Sequence, residues 1–159
     1  MPLAQAKRNS QSTMTQTCIT VPQIETAVRR YWRILMEKAS GEMGGFYSYD
    51  SVVFNPFSSR AESGRVSAAR KEREYYTSET AFHAEITGPI GVQLLADNIA
   101  VASYNFRWSA SNMKQEVLGR NFDKAVRDGR ATQVFVLSPE GELRIASEHL
   151  SDIWRDQKK

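Results

Sequence analysis

The chain has 159 residues, 41% of them hydrophobic and 25% charged, which suits one domain able to bury roughly two thirds of the surface its unfolded chain exposes. Its 21 Lys+Arg against 18 Asp+Glu leave a net charge of only +3, and the densest basic stretch, Arg60 to Arg73, is interrupted by Glu62 and Glu72, a pattern that argues against a nucleic-acid partner and for a solvated helix face. A single cysteine, Cys18, excludes an internal disulfide, the two histidines leave a structural zinc site short of ligands, and no apolar run approaches the ~20 residues of a membrane span.

A cytoplasmic protein without a membrane partner is therefore expected. Residues 1–19 carry Lys7, Arg8, several Ser and Thr and no acid, and they lack an apolar face; we read them as a flexible tail. A single domain at 20–155 and a C-terminal tail at 156–159 follow.

Helical patterning begins after Thr20, which forms a capping box with Gln23, while Pro22 falls in the first turn where its missing N–H costs little. Ile24, Ala27, Val28, Tyr31, Trp32 and Leu35 then recur at three- and four-residue spacing, the stripe of a helix lying on a core. Gly41, Gly44 and Gly45 stop it. A helical turn at Phe46 to Tyr49 leads into a strand at Asp50 to Phe57, and a second helix starts at Ser67, as its cap, and runs to about Thr80.

Beyond it the period becomes extended. Glu85 to Leu95 is a strand interrupted by Gly-Pro-Ile-Gly, Ala96-Asp97-Asn98 is a hairpin turn, and Ile99 to Trp108 is a long strand. Ser109 to Gly129 admits an irregular loop, a strand pair, or a strand extension with a short helix. Asp128-Gly129 is a turn signal, Arg130 to Leu137 a strand, and Ser138-Pro139-Glu140-Gly141 a turn into a last strand at Leu143 to Leu150. Helices followed by a meander argue for α+β and against a βαβ nucleotide fold.

Gly129-Arg130-Ala131-Thr132-Gln133-Val134-Phe135-Val136, the turn ending at Gly141, and the strand Leu143 to Ser151 with its His149-Leu150-Ser151 ending resemble the nuclear-transport-factor-2-like superfamily, in its SnoaL-like and calcium/calmodulin-dependent kinase association-domain branches. The opening helix and Tyr47-Ser48-Tyr49-Asp50-Ser51-Val52 share in the resemblance. It implies a cone-shaped α+β fold, a curved antiparallel sheet packed on N-terminal helices, commonly dimeric. Isomerases, cyclases, hydrolases, dehydratases, transport factors and oligomerisation modules share that fold, so the fold does not choose a function.

Period-2 alternation puts His149 on one side of its strand with Ile145, Ser147 and Ser151, where it is either a general acid or base in a pocket or a core or interface histidine. Arg130 alternates with Thr132, Val134 and Val136. If those valines face inward, its guanidinium does too; by resemblance to the kinase association domain it then meets a carboxylate-bearing ligand, and otherwise it lies in an internal ion pair or in solvent. Tyr104, Phe106 and Trp108 share one strand face, which lines either an apolar cavity or a dimer interface.

Asp50 beside Val52, Val53 and Phe54 is either a carboxyl with a raised pKa or a turn residue, and Tyr47 and Tyr49 are packing residues or hydroxyl donors. We carry His149 and Asp50 as catalytic candidates, and Arg130, Tyr47, Tyr104 and Trp108 as ligand-binding ones. No Gly-rich phosphate loop, nucleophile elbow or metal-ligand spacing is present, so no cofactor and no metal are expected. The expected protein is a homodimeric SnoaL-like pocket that binds a small, partly apolar, carboxylate-bearing molecule and acts, if it is an enzyme, by acid/base isomerisation, cyclisation, dehydration or hydrolysis. The alternative is a non-catalytic dimerisation or association module.

Overall fold

A computed structural model describes residues 18–56, 58–75, 81–111, 116–117, 120–121 and 124–153. Helix α1 (Val21–Glu37) buries Ile24, Val28, Tyr31, Trp32 and Leu35, joined by Ile34. The Thr20 N–H donates to Gln23 Oε1 at 2.8 Å, satisfying one of the amides a helix start leaves unpaired. The helix ends at Lys38, in the left-handed conformation with φ 54 and its N–H bonded to the Ile34 carbonyl, three residues before the glycines expected to stop it. Of the expected N-terminal tail, residues 1–17 lie outside the described residues, as do residues 156–159, while Ile19 is buried and donates its N–H to the Asp97 carbonyl at 2.6 Å.

A 3₁₀ turn at Met43–Phe46 leads directly into β1 (Tyr47–Phe54), so the turn lies three residues upstream of its expected place and Tyr47 belongs to the strand. After β2 (Glu62–Ser63), helix α2 spans Gly64–Tyr75. Ser67 is not its cap. Ser63 Oγ accepts the Val66 N–H at 3.4 Å and Ser51 Oγ accepts the Gly64 N–H at 3.0 Å, whereas Ser67 is fully buried within the helix. The expected end near Thr80 lies outside the described residues.

The remaining strands are β3 (Ala81–Ile86), β4 (Gly91–Ala96), β5 (Ile99–Ser111), β6 (Glu116–Val117), β7 (Arg120–Asn121), β8 (Lys124–Leu137) and β9 (Leu143–Ile153). Seven of the strands form one curved, unclosed sheet in the order β2-β1-β9-β8-β5-β3, with β4 also pairing β5. One half of β5 pairs β4 and the other half pairs β3. Every pairing in this sheet is antiparallel except β1 with β9, which is parallel. The architecture is the α+β arrangement expected, with the core between α1 and the concave face.

In the segment from Ser109 to Gly129 the described residues are strand: β5 and β8 stay paired as far as Ser111 with Lys124, and β6 and β7 pair beyond them. Asp128-Gly129 is accordingly no turn. Gly129 lies inside β8 opposite Phe106, and a Cβ there would sit 2.3 Å from the Phe106 ring; glycine lets the ring lie over the strand. The Ser138–Gly141 turn forms as expected, the Gly141 N–H donating to the Ser138 carbonyl at 2.9 Å with Gly141 at φ 82.

One irregularity decides what faces inward. Val134 opposes Ser147 while the next residue, Phe135, opposes Ile145, so Ala146 is an extra residue in β9. Such a bulge reverses the alternation beyond it. Ile145 is buried before it, and Glu148 and Leu150 are buried after it.

Candidate interior cleft and its buried charge cluster

The concave face gathers polar groups from five elements around Glu148, which is fully buried. Its Oε1 accepts from Lys71 Nζ of α2 at 2.9 Å, Tyr47 Oη of β1 at 3.0 Å and Tyr31 Oη of α1 at 3.1 Å. Its Oε2 accepts from Gln133 Nε2 of β8 at 2.8 Å. Lys71 also donates to Tyr47 Oη at 2.9 Å and to Tyr31 Oη, and its ammonium lies 4.9 Å from the Tyr31 ring centroid. A further chain runs from Trp32 Nε1 to Tyr104 Oη at 3.0 Å, and from Tyr104 Oη to Gln133 Oε1 at 3.1 Å.

The energetics of this cluster follow from burial. A desolvated carboxylate costs several kcal/mol unless paired and hydrogen-bonded, and both oxygens of Glu148 are engaged. Burial first, and then the Glu148 charge, holds the Tyr31, Tyr47 and Tyr104 hydroxyls well above the usual phenol range. All three therefore stay protonated at neutral pH and serve as donors.

Beside the cluster lies a cleft between α1, α2 and the sheet. Trp32, Phe82, Phe106, Trp108 and Leu150 supply apolar walls, and Arg70, Lys71, Asn55 and Tyr31 a polar end. Its free space is about 30 Å³, enough for little more than a water-sized group. Phe82 and Trp108 stack across it with ring centroids 6.3 Å apart. Arg70 donates through one terminal nitrogen to Glu62, while its Nε is buried without a hydrogen-bond partner among the described residues.

Of the residues singled out in the sequence, Tyr47, Tyr104 and Trp108 face the interior. Tyr47 and Tyr104 join the polar cluster; Trp108 lines the cleft and donates to Asp152 at 3.2 Å. His149, Arg130 and Asp50 are exposed, so the expected meeting of His149 and Arg130 inside a hollow is corrected. The bulge at Ala146 turns His149 outward, where its ring lies 6.0 Å from that of Phe54. On β8 the inward residues are Ala131, Gln133, Phe135 and Leu137, which leaves Arg130 and Thr132 in solvent. Asp50 lies in the register break of β1 between Tyr47 and Val52.

Glu148, Lys71, Tyr31, Gln133 and Arg70 were not singled out. The extra residue at Ala146 puts Glu148 on the side opposite the one that simple alternation from Ile145 assigns it. Lys71 sits on a helix whose apolar face is too narrow to mark an inward lysine. Among the described residues no group of three or more His, Cys, Asp or Glu could hold a metal, and no helix is long and apolar enough to cross a membrane.

No family model and no curated protein matches the sequence. Solved structures do match in three dimensions. A nuclear-transport-factor-2-like superfamily protein from Salmonella enterica aligns with TM-score 0.66 and 17% identity over 86% of this chain and 93% of its own. A putative calcium/calmodulin-dependent protein kinase II association domain from Xanthomonas campestris gives 0.63 and 15% over 87% and 96%. A ketosteroid isomerase-like protein from Erwinia carotovora gives 0.63 and 16% over 83% and 95%. These likenesses establish the nuclear-transport-factor-2-like fold for this chain.

Proposed function

We propose that this chain binds a small carboxylate-bearing molecule in the interior cleft, its anionic end against Arg70 and Lys71 and its apolar remainder against Phe106 and Trp108. One observation carries the reading: two cationic side chains stand at the polar end of a mostly apolar cleft, and one of them, Arg70, keeps a buried Nε–H without an acceptor among the described residues. An unsatisfied buried donor costs about 1–3 kcal/mol, which a ligand carboxylate would recover. The cleft is narrow, so anything beyond a few heavy atoms enters only when the stacked rings of Phe82 and Trp108 part. The neutral phenol of Tyr31 lines that end, and Lys71 connects it to the Glu148 carboxylate and the Tyr47 phenol behind, a proton donor and acceptor in one hydrogen-bonded cluster, the equipment of acid/base chemistry. That one structural neighbour is a ketosteroid isomerase-like protein agrees with a fold able to house such a site.

Calorimetric titration with acetate and propionate, against acetamide and propionamide, tests the reading. The acids should bind and the amides should not, and Arg70→Leu should abolish the heat. Equal binding of acid and amide, or an unaffected Arg70→Leu variant, would contradict it.

A second reading, self-association, rests on the convex face. Val52, Ser147, Val134 and Val101 are register partners across β1, β9, β8 and β5, and Phe54, His149, Thr132 and Ser103 form the next row. Val52 is 44% exposed and Phe54 50%, apolar area that a second copy would cover. One neighbour is a putative association domain. Phe54→Asp should convert a dimer to a monomer in sedimentation velocity; a wild-type protein that is monomeric at high concentration would remove this reading.

A further inference from the structure

Resting on the cleft-binding reading, we infer that Lys71 is a nucleophile that captures a short α-oxo acid as an imine, with Arg70 holding the acid's carboxylate. Lysine amines form imines with carbonyl compounds once their proton is handed to a base, and such a base lies within hydrogen-bond reach of Lys71. Lys71 donates to Glu148 Oε1, that base, at 2.9 Å, and to the phenol oxygens of Tyr47 at 2.9 Å and of Tyr31, whose own protons go to Glu148. Its neighbour Arg70 lines the same cleft and supplies the unpartnered Nε–H. An amine for the ketone and a guanidinium for the carboxylate, adjacent on one helix, match the two functional groups of an α-oxo acid, and the narrowness of the cleft selects a short one.

The step balances without an added reagent. The Lys71 ammonium passes one proton to Glu148, and the freed lone pair forms a C–N bond to the carbonyl carbon. The C=O π electrons move to oxygen, which accepts a hydrogen bond and then a proton from a tyrosine hydroxyl. From the resulting carbinolamine the C–O bond breaks and water leaves, carrying that proton and one from nitrogen, while Glu148 returns its proton to the tyrosine. The net change is ammonium plus ketone to iminium plus water. The cation facing Glu148 is replaced by another cation, so the buried carboxylate is never left unpaired, which is the condition that would make the step costly.

The test is reductive trapping. Protein incubated with pyruvate and cyanoborohydride should gain the mass of one reduced adduct, mapped to Lys71 by peptide sequencing. Lys71→Arg preserves the charge pair and should lose the adduct; this keeps the test decisive even if Lys71→Met fails to fold. Arg70→Leu should lose the pyruvate adduct and keep one formed with acetaldehyde, which has no carboxylate. An adduct spread over exposed lysines and unchanged in Lys71→Arg would overturn the proposal. If propionate binds by calorimetry yet pyruvate is not trapped, capture is refuted and the binding reading stands; if neither acid binds, both fall.

Discussion

Replacing Lys71 with Met removes the only cation that touches Glu148 among the described residues, and it does so where the carboxylate has no solvent exposure. Breaking a buried pair from one side costs about 3–5 kcal/mol, because the remaining charge is left uncompensated. For a chain of this length each kcal/mol corresponds to about 2–4 °C in melting temperature, so the loss should be about 6–20 °C. Adding Glu148→Gln should return most of it: the amide carbonyl still accepts from Tyr31 and Tyr47, and no charge remains to desolvate. Urea denaturation of wild type, both single variants and the double variant supplies a complete thermodynamic cycle. A Lys71→Met variant that loses less than about 1 kcal/mol, the scale of an exposed pair, would refute the description of this pair as desolvated.

Two further outcomes follow from the same geometry. Tyr31, Tyr47 and Tyr104 have hydroxyls raised above the ordinary phenol range, so their neutral forms favour the folded state; that contribution is complete below the unfolded value of about 10 and is lost as pH rises toward the folded values. Ultraviolet titration of the native protein should therefore show these three tyrosines ionising only with alkaline unfolding, and Tyr104→Phe should remove one group from the delayed set. Gly129→Ala would place a methyl 2.3 Å from the Phe106 ring and should cost about 1–3 kcal/mol as overpacking, measured by urea denaturation. An unchanged midpoint would mean that the ring shifts freely.

How much was legible depended on whether a signal was local. The α1 stripe, the Thr20 start and the Ser138–Gly141 turn were all readable because spacing and turn chemistry specify them residue by residue. The aromatic stripe Tyr104, Phe106 and Trp108 was also readable, but its inward side is set by α1, whose Trp32 packs on Phe106 and donates to Tyr104. Parity failed at β9. Alternation counted from Ile145 puts His149 inside and Glu148 outside, and a single inserted residue at Ala146 inverts both, with no glycine or proline to announce it. Asp128-Gly129 misled for a related reason: a glycine required by a ring overhead has the same composition as a glycine required by a turn. Lys71 was illegible because its burial depends on partners from α1, β1 and β9, far apart in sequence.

Binding in the cleft depends above all on Arg70, a lining residue whose buried Nε–H has no acceptor among the described residues. That Nε–H is directly observable by ¹⁵N–¹H correlation spectroscopy of the wild-type protein titrated with propionate. This resonance should move downfield, and its exchange with water should slow, as the carboxylate is added. An Arg70 signal that stays in place, or that moves no more than those of the exposed arginines, would contradict binding in the cleft.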